Sequence, residues 1–436
     1  MSLEDSRTGH WRCRPPTAVS RAQSSRTRLV TAVTARPVAR FHGAAYRARS
    51  GTRGTRGSLL QIVSYSPAHR EAVERLNARL AEAGSQWSFP ARERPAEAEE
   101  LPAWDESFVA VDGSEAYGGY ILKHRRFFLE GDPVDLGALQ MPLSLGEVDS
   151  AYGHVSVALL IDAVRRSPYL YSLGLGSEET RYARLLTAAG WKHLTVPFFF
   201  DVKSANRFAR EIRLPAGKAK LQRALRVLGR ARLARTALDL RRFAVARPRR
   251  RRTFAEPVTS KELADFDRSA DDVFSAGVGS YTLVADRGQQ ALRRIFRTTE
   301  TGFIRLAIRR GEEVVGWAVV LDAQMRDNKY FGNMRVGSIA DCFAAPRDAE
   351  LVVAAADAYL THRGVDIVVS NQLHPVWCDA LKAAGYEQGP SNFFFYFSQE
   401  LADRLAAISR WQDGVHLNRG DGEGPGHLMG DEDFST

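Results

Sequence analysis

Apolar positions along the chain repeat with two periods, and the segments they define alternate. Leu59-Leu60-Gln61-Ile62-Val63 reads as a strand. Ser66-Pro67 then offers an N-cap and a first-turn proline to a helix running to about Ala83, with Val73, Leu76, Leu80 and Ala81 on one face. Phe108-Val109-Ala110-Val111, the turn Asp112-Gly113 and Tyr120-Ile121-Leu122 predict a hairpin. A strand at Leu136–Leu143 follows, then a helix from His154 to Arg166, a strand at Leu170–Leu175, a helix at Glu178–Ala189 and a strand at Val196–Val202. A similar series appears further on. Leu263–Phe274 reads as helix, and Ile304–Ile308, Val314–Leu321 and Arg335–Phe343 as strands. Helix Ala349–Thr361, strand Asp366–Ser370, helix Val376–Ala384 and strand Asn392–Ser398 close it.

The two series are copies. Ala188-Ala189-Gly190-Trp191, six residues and Phe198-Phe199-Phe200 match Ala383-Ala384-Gly385-Tyr386, six residues and Phe393-Phe394-Phe395, all at an offset of 195. The apolar stretch Val157–Ala163 falls on Val352–Ala358, Asp162 on Asp357, and Leu173-Gly174-Leu175-Gly176 on Val368-Val369-Ser370-Asn371. A period this long implies two copies of a domain rather than a solenoid.

A strand, a helix ending in a small-small-Gly-aromatic turn and an aromatic closing strand resemble the C-terminal half of a GNAT-type acyltransferase domain. The resemblance covers roughly residues 59–202 and 254–400. It implies an α/β protein with two tandem GNAT-like mixed-sheet domains (58–202 and 254–402) joined by a basic helical linker (203–253), with a leader at 1–57 and a Gly-rich tail at 403–436. A more distant resemblance is to FemAB-like aminoacyl transferases, which also pair two GNAT-like domains.

The resemblance implies transfer of an acyl group from acyl-CoA, acetyl-CoA first, to an amine, with the thioester held where two central strands part. The pyrophosphate would lie on the loop opening the next helix, where exposed N–H groups and the helix dipole favour an anion. In the first copy that loop spans 146–154 and offers Gly146, Tyr152, Gly153 and His154. It lacks the family's glycine-rich pattern, and Glu147 and Asp149 would repel a phosphate unless turned away. Tyr182 is placed to protonate a leaving thiolate, or simply to pack. In the second copy Asp341 and His374 form a candidate proton-transfer pair, His374 being either a base near neutral pH or a helix cap. Asn371, Gln372, Ser391 and Asn392 would line the same cleft as substrate-binding groups. The tail after Trp411 reads as unstructured, or as a loop bringing Arg419 and Asp421 over the site. No metal site is expected; Cys13, Cys342 and Cys378 lack ligand spacing and fit a reducing compartment.

Charge is segregated rather than global. Of 61 bases and 51 acids, residues 1–57 hold 12 Arg against Glu4 and Asp5, and residues 203–252 hold 18 bases against Glu211 and Asp239. The leader resembles a transit peptide or a start codon placed too far upstream. Within 203–252, Leu221, Leu225 and Leu228 recur at helical spacing among Arg223, Arg226 and Arg230. That pattern fits a linker helix, or peripheral contact with an anionic membrane, and no nucleic-acid reader motif appears. No run is long and apolar enough to span a bilayer. The sequence therefore predicts a cytoplasmic acyltransferase, peripheral to the membrane if the basic segment docks there. Its acceptor is a small or lipid-linked amine, such as an amino sugar or cell-envelope precursor. A GNAT-like binding or scaffold protein without catalysis is the alternative.

Overall fold

The computed structural model describes residues 60–214, 216–234, 236, 256–299 and 302–422. The expected leader, the Arg249–Arg252 run and the last residues of the tail lie outside them. In chain order, β1 (Gln61–Ser64), α1 (Arg70–Glu82), β2 (Ala103–Asp112), β3 (Glu115–Leu129), β4 (Asp132–Ser144), α2 (Gly153–Arg166), β5 (Leu170–Leu175), α3 (Arg181–Ala188), β6 (Lys192–Thr195) and β7 (Phe198–Val202) make the first series. Helices α4 (Ala205–Glu211) and α5 (Ala219–Arg230) occupy the basic segment. The second series is β8 (Val258–Leu263), α6 (Ser269–Gly277), β9 (Leu283–Ala285), α7 (Gln289–Ile295), β10 (Ile304–Arg310), β11 (Glu313–Gln324), β12 (Arg335–Ala344), α8 (Ala349–His362), β13 (Ile367–Asn371), α9 (Pro375–Ala383), β14 (Glu387–Gly389) and β15 (Phe393–Phe397). Helix α10 (Gln399–Ala406) and the short β16 (Val415–His416) end it.

Local chemistry explains most boundaries. Ser66 and His69 form a capping box around a 3₁₀ turn that runs into α1, which buries Ala72, Val73, Leu76 and Leu80. Thr180 caps α3 and Ser398 caps α10 through their hydroxyls. Helix α8 is apolar nearly all round and lies buried against the second sheet. The helix expected from Leu263 begins only at Ser269, and Leu263 itself ends a strand that the sequence pattern did not place. Strand β8 is an edge strand with several exposed positions, paired only to β10, so its apolar period is weak.

The strand order holds the main departure from a simple tandem. The first sheet runs β1-β2-β3-β4-β5-β15-β6, and the second β14-β7-β13-β12-β11-β10-β8. Each copy's closing aromatic strand completes the other copy's sheet. Strand β15 pairs antiparallel with β5 (Phe393↔Leu175 to Phe397↔Tyr171), and β7 with β13 (Phe198↔Asn371 to Val202↔Ile367). The crossings follow the prolines. Strand β6 pairs with β15, and then Val196-Pro197 carries the chain into the second sheet; β14 pairs with β7, and the chain returns through Pro390. Proline has no N–H to give a ladder, so the chain leaves its sheet there.

Both faces of each exchanged strand are covered, which explains the unbroken aromatic runs. Phe199 enters the core beneath α8, while Phe198 and Phe200 pack on the opposite face around Met325, Met334 and Val336. Phe394 and Tyr396 face the core under α2 and α3, and Phe395 and Phe397 face Tyr171, Leu405 and Trp411. Lys203, just past β7, is clamped by Asp357 of α8 at 2.6 Å and by Asp201 at 2.8 Å, and Tyr386 donates to the same Asp357.

Removing a buried phenyl costs about 3–5 kcal/mol. Phe199→Ala should therefore expose backbone amides of Ile367–Asn371 in the second sheet to hydrogen exchange first, leaving Leu170–Leu175 protected. The opposite order would contradict the exchange.

Candidate active site

Both sheets part in the middle. In the first, β4 and β5 are parallel partners only at Gly137↔Leu170 and Ala138↔Tyr171, after which β4 runs on to Ser144 and β5 to Leu175. In the second, β12 and β13 pair from Val336↔Ile367 to Ile339↔Ser370, and β12 continues to Ala344. A register shift accompanies each parting: between Gly119 and Ile121 against β4, and between Val319 and Val320 against β12. Such bulges re-aim a strand and end its pairing. Each half is thus a mixed sheet whose two parallel central strands stop pairing part-way.

The two openings differ in what surrounds them. The first leads to the loop 145–152 and the N-terminus of α2. Gly146 is buried in that loop, and a Cβ there would lie 2.9 Å from Tyr152 O and 3.0 Å from Ser144 Oγ, so the turn requires glycine. Asp149 is exposed and its carboxylate accepts from Ala151 N at 2.9 Å, so it occupies one of the loop's N–H groups and the expected repulsion stands. Arg181 reaches back from α3 to donate to the carbonyls of Gly146 and Glu147. Arg79 lies 5.8 Å from the rings of both Tyr117 and Tyr152. Gly153 and His154 are exposed at the helix start, His154 Nδ1 lying 3.1 Å from Ala151 O. Cationic groups that the loop sequence lacks thus come from α1 and α3, whose arginines are anonymous in a chain so rich in them.

The second opening is closed by the chain's own tail. The residues from Trp411 to Gly422, read as unstructured or as a loop bringing Arg419 and Asp421 over the site, are largely buried. Leu373 N donates to Leu417 O at 3.0 Å, and Asn418 bridges to Gln372. Asn418 and Asp421 cap one another around a 3₁₀ turn. Gly420 packs so closely on Asp341 that a Cβ would fall 2.5 Å from its Oδ2. Beside this opening the loop 345–348 has no glycine, and a cavity next to it is lined by Asp272, Glu313 and Asp348 against Arg347, a poor setting for a phosphate.

At the centre lies a buried ionic network. Arg287 Nη2 is 2.7 Å from Asp421 Oδ1 and 3.1 Å from Asp341 Oδ2, and all three side chains are almost wholly inaccessible. Asn418 Nδ2 donates to Asp341 Oδ1. Tyr171 of β5 donates to Asp421 O at 2.9 Å, so the tail ties β12 to the first sheet. One guanidinium faces two carboxylates, and burial pushes the Asp341 carboxyl up to about 7.

The expected Asp341–His374 pair does not form a hydrogen bond. Asp341 is taken by Arg287 and Asn418, while His374 Nδ1 accepts from Val376 N at 3.2 Å and caps α9. Burial pushes His374 down to about 4 and its ring meets Tyr281 edge-on, so it is a helix cap with little basicity at neutral pH. Burial raises the Cys342 thiol, and that of Cys378 to about 12; Cys342 accepts from Gln372 Nε2 and Cys378 donates to Gln372 O. Gln372 and Asn371 remain at the second opening, Asn371 Nδ2 lying 3.5 Å from Pro197 O. The strand exchange moves Ser391 and Asn392 away from it: they lead into β15, beside the first sheet. Ser391 Oγ donates to Val196 O and so fastens the crossing, and Asn392 is exposed. Tyr182 packs half-buried with the apolar cluster of Leu159, Ala183 and Leu186. Arg287, Asn418 and Asp421 are the central residues that sequence spacing left unpaired with Asp341.

No protein-family profile and no curated protein sequence matches this chain. Among solved structures it is similar to a GCN5-related N-acetyltransferase from Anabaena variabilis (12% identity, TM-score 0.45, 78% of this chain and 72% of that one). It is also similar to Saccharomyces cerevisiae N-myristoyltransferase with bound myristoyl-CoA (11%, 0.43, 80% and 81%) and to a tandem GNAT protein from the clavulanic acid pathway (14%, 0.40, 78% and 99%). Among the described residues no helix is long and apolar enough to cross a membrane.

A carboxyl held at about 7 when folded, against its ordinary 3.8, gives stability that is full below pH 3.8 and lost as pH rises to about 7, at up to about 1.4 kcal/mol per pH unit. His374, depressed from 6.5 to about 4, contributes the opposite slope, with stability lost as pH falls through that range. The informative quantity is thus the difference between wild type and Asp341→Asn. Chemical denaturation should show it falling from about pH 5 to about pH 7 and level above. A difference independent of pH would show that Asp341 stays ionised throughout.

Proposed function

We propose that this chain is an acyl-CoA-dependent N-acyltransferase that takes its thioester in the first opening, between β4 and β5. One observation carries the assignment: both sheets part, but the tail closes the second opening and touches the first only at its inner edge, where Gly422 meets Leu173, leaving it bordered by a glycine-containing loop, Arg79 and Arg181. Gly146, Tyr152, Gly153 and His154 would then face the phosphates. Backbone N–H groups freed where β4 loses its partner would polarise the thioester carbonyl.

A primary amine attacking that carbon forms the new C–N bond as the C–S bond breaks. The ammonium proton must leave and the CoA thiolate must gain one. The ammonium proton leaves to solvent at the first opening and the thiolate takes one from solvent, while Asp341, buried behind the tail, is our candidate positioning residue: through Arg287 it holds Asp421, whose carbonyl accepts from Tyr171 at the edge of that opening. Asn371 and Gln372 lie buried at the closed second opening and do not face the thioester in this reading. The acceptor is a small amine, with acetyl-CoA the first donor to try.

The second reading is a GNAT-like binding protein without turnover. It is favoured by the capping role of His374 and the packed position of Tyr182, which leave the leaving thiolate without an evident proton donor.

Titration calorimetry with acetyl-CoA and longer acyl-CoAs, joined to a thiol-release assay over a panel of amines, separates them. We expect one site per chain, a roughly tenfold weaker Kd (about 1.4 kcal/mol) in Arg79→Ala/Arg181→Ala, and turnover lowered in Asp341→Asn with Kd unchanged. Binding without thiol release would support the binding protein. No binding of any CoA thioester would remove the acyltransferase reading.

A further inference from the structure

Helix α5 shows its apolar residues to the outside. It rests on α4 by one narrow side: Gly229 sits so close to Asn206 O and the Arg210 side chain that a Cβ would lie 2.7–2.8 Å from them. Gln222 fixes the rotation by bonding Ile212 O and Leu214 N. At 100° per residue the direction away from this contact carries Lys220 and Ala231, flanked by Val227 and Ala224, with Leu228 and Leu221 on one border. Leu221 is 51% exposed and Val227 63%, and Leu233 just beyond is 54% exposed. Arg223, Arg226 and Arg230 are exposed along one side of this row, and Lys220 stands beside Val227. No acidic residue occurs between Glu211 and Asp239.

A helix that serves only as a linker turns its apolar row toward the protein. An outward apolar row bordered by cations is the arrangement of a helix lying in a lipid–water interface, where alkyl side chains enter the acyl boundary and the cations meet lipid phosphates. We propose that this face of α5 docks on an anionic phospholipid bilayer. The aliphatic row sets a bilayer above a nucleic acid, whose binding would call for aromatic platforms that α5 lacks. At about 18 Å the helix is long enough to lie along the surface and too short to cross it. The proposal stands apart from the acyltransferase reading.

Co-sedimentation of the full chain with vesicles tests it, comparing pure phosphatidylcholine with phosphatidylcholine containing phosphatidylglycerol, at low and high salt. We expect binding to the anionic vesicles only, reversed by salt. Leu221→Ser/Val227→Ser, which leaves the charge unchanged, should lower partitioning at least about tenfold. Arg223→Gln/Arg226→Gln/Arg230→Gln should lower it about a hundredfold. The substituted residues are exposed, and unchanged melting would confirm that both variants fold. Undiminished binding by the serine variant would overturn the proposal and assign retention to the other basic stretches. So would equal binding to neutral vesicles, or heparin and duplex DNA binding that competes with vesicles and ignores the serine substitutions.

Discussion

Two aromatic strands that change places hold this molecule together. β7 leaves the copy that encodes it to pair with β13, and β15 makes the return journey to β5. Each brings a row of phenyl rings covered on both faces, so each half's core is finished by the other half's residues. The crossings lie side by side, fastened where Val196 N meets Phe393 O and Ser391 meets Val196 O. This places the two openings on either side of a common centre, and the tail fills that centre with Asp421, Asn418 and Gly420. A buried cation serving two carboxylates is costly to dehydrate and costly to break once formed. Arg287 thereby fixes where the tail must lie, and the tail in turn decides which opening is left for a ligand.

Much of this was readable from residue order. The 195-residue offset announced the duplication, and the alternation around Phe108–Leu122 and the capped helices located the elements to within a few residues. The exchange was not readable, because Phe198-Phe199-Phe200 and Phe393-Phe394-Phe395 are near duplicates and local pattern does not say which of two similar sheets a strand will join. Its physical trace is slight: Pro197 and Pro390, each at the point where a ladder must end. The misplacement of Ser391 and Asn392 follows directly from it. Strand β8 was not read at all, because an edge strand with one covered face displays few apolar positions.

The candidate site shows a similar division. Asp341 was singled out by its position after an apolar strand, and it is the carboxylate at the centre. His374 was offered as its partner because both follow apolar strands, or else as a helix cap, and the helix starting at Pro375 took that imidazole as its cap. The true partners lie 54 residues upstream and about 80 downstream, as one arginine among many and a glycine-dense tail. Long-range ion pairs of this kind carry no periodicity, so only the fold brings them to view.

The exchanged strands also bear on how the molecule is made. As synthesis proceeds, the edge of β5 emerges long before β15, and β7 long before β13. Each nascent half therefore leaves the ribosome with an open sheet edge and an unmatched ribbon of phenylalanines, the kind of surface that draws strange chains together. A chaperone that shields these edges until translation ends would favour closure within one polypeptide over entanglement between neighbours.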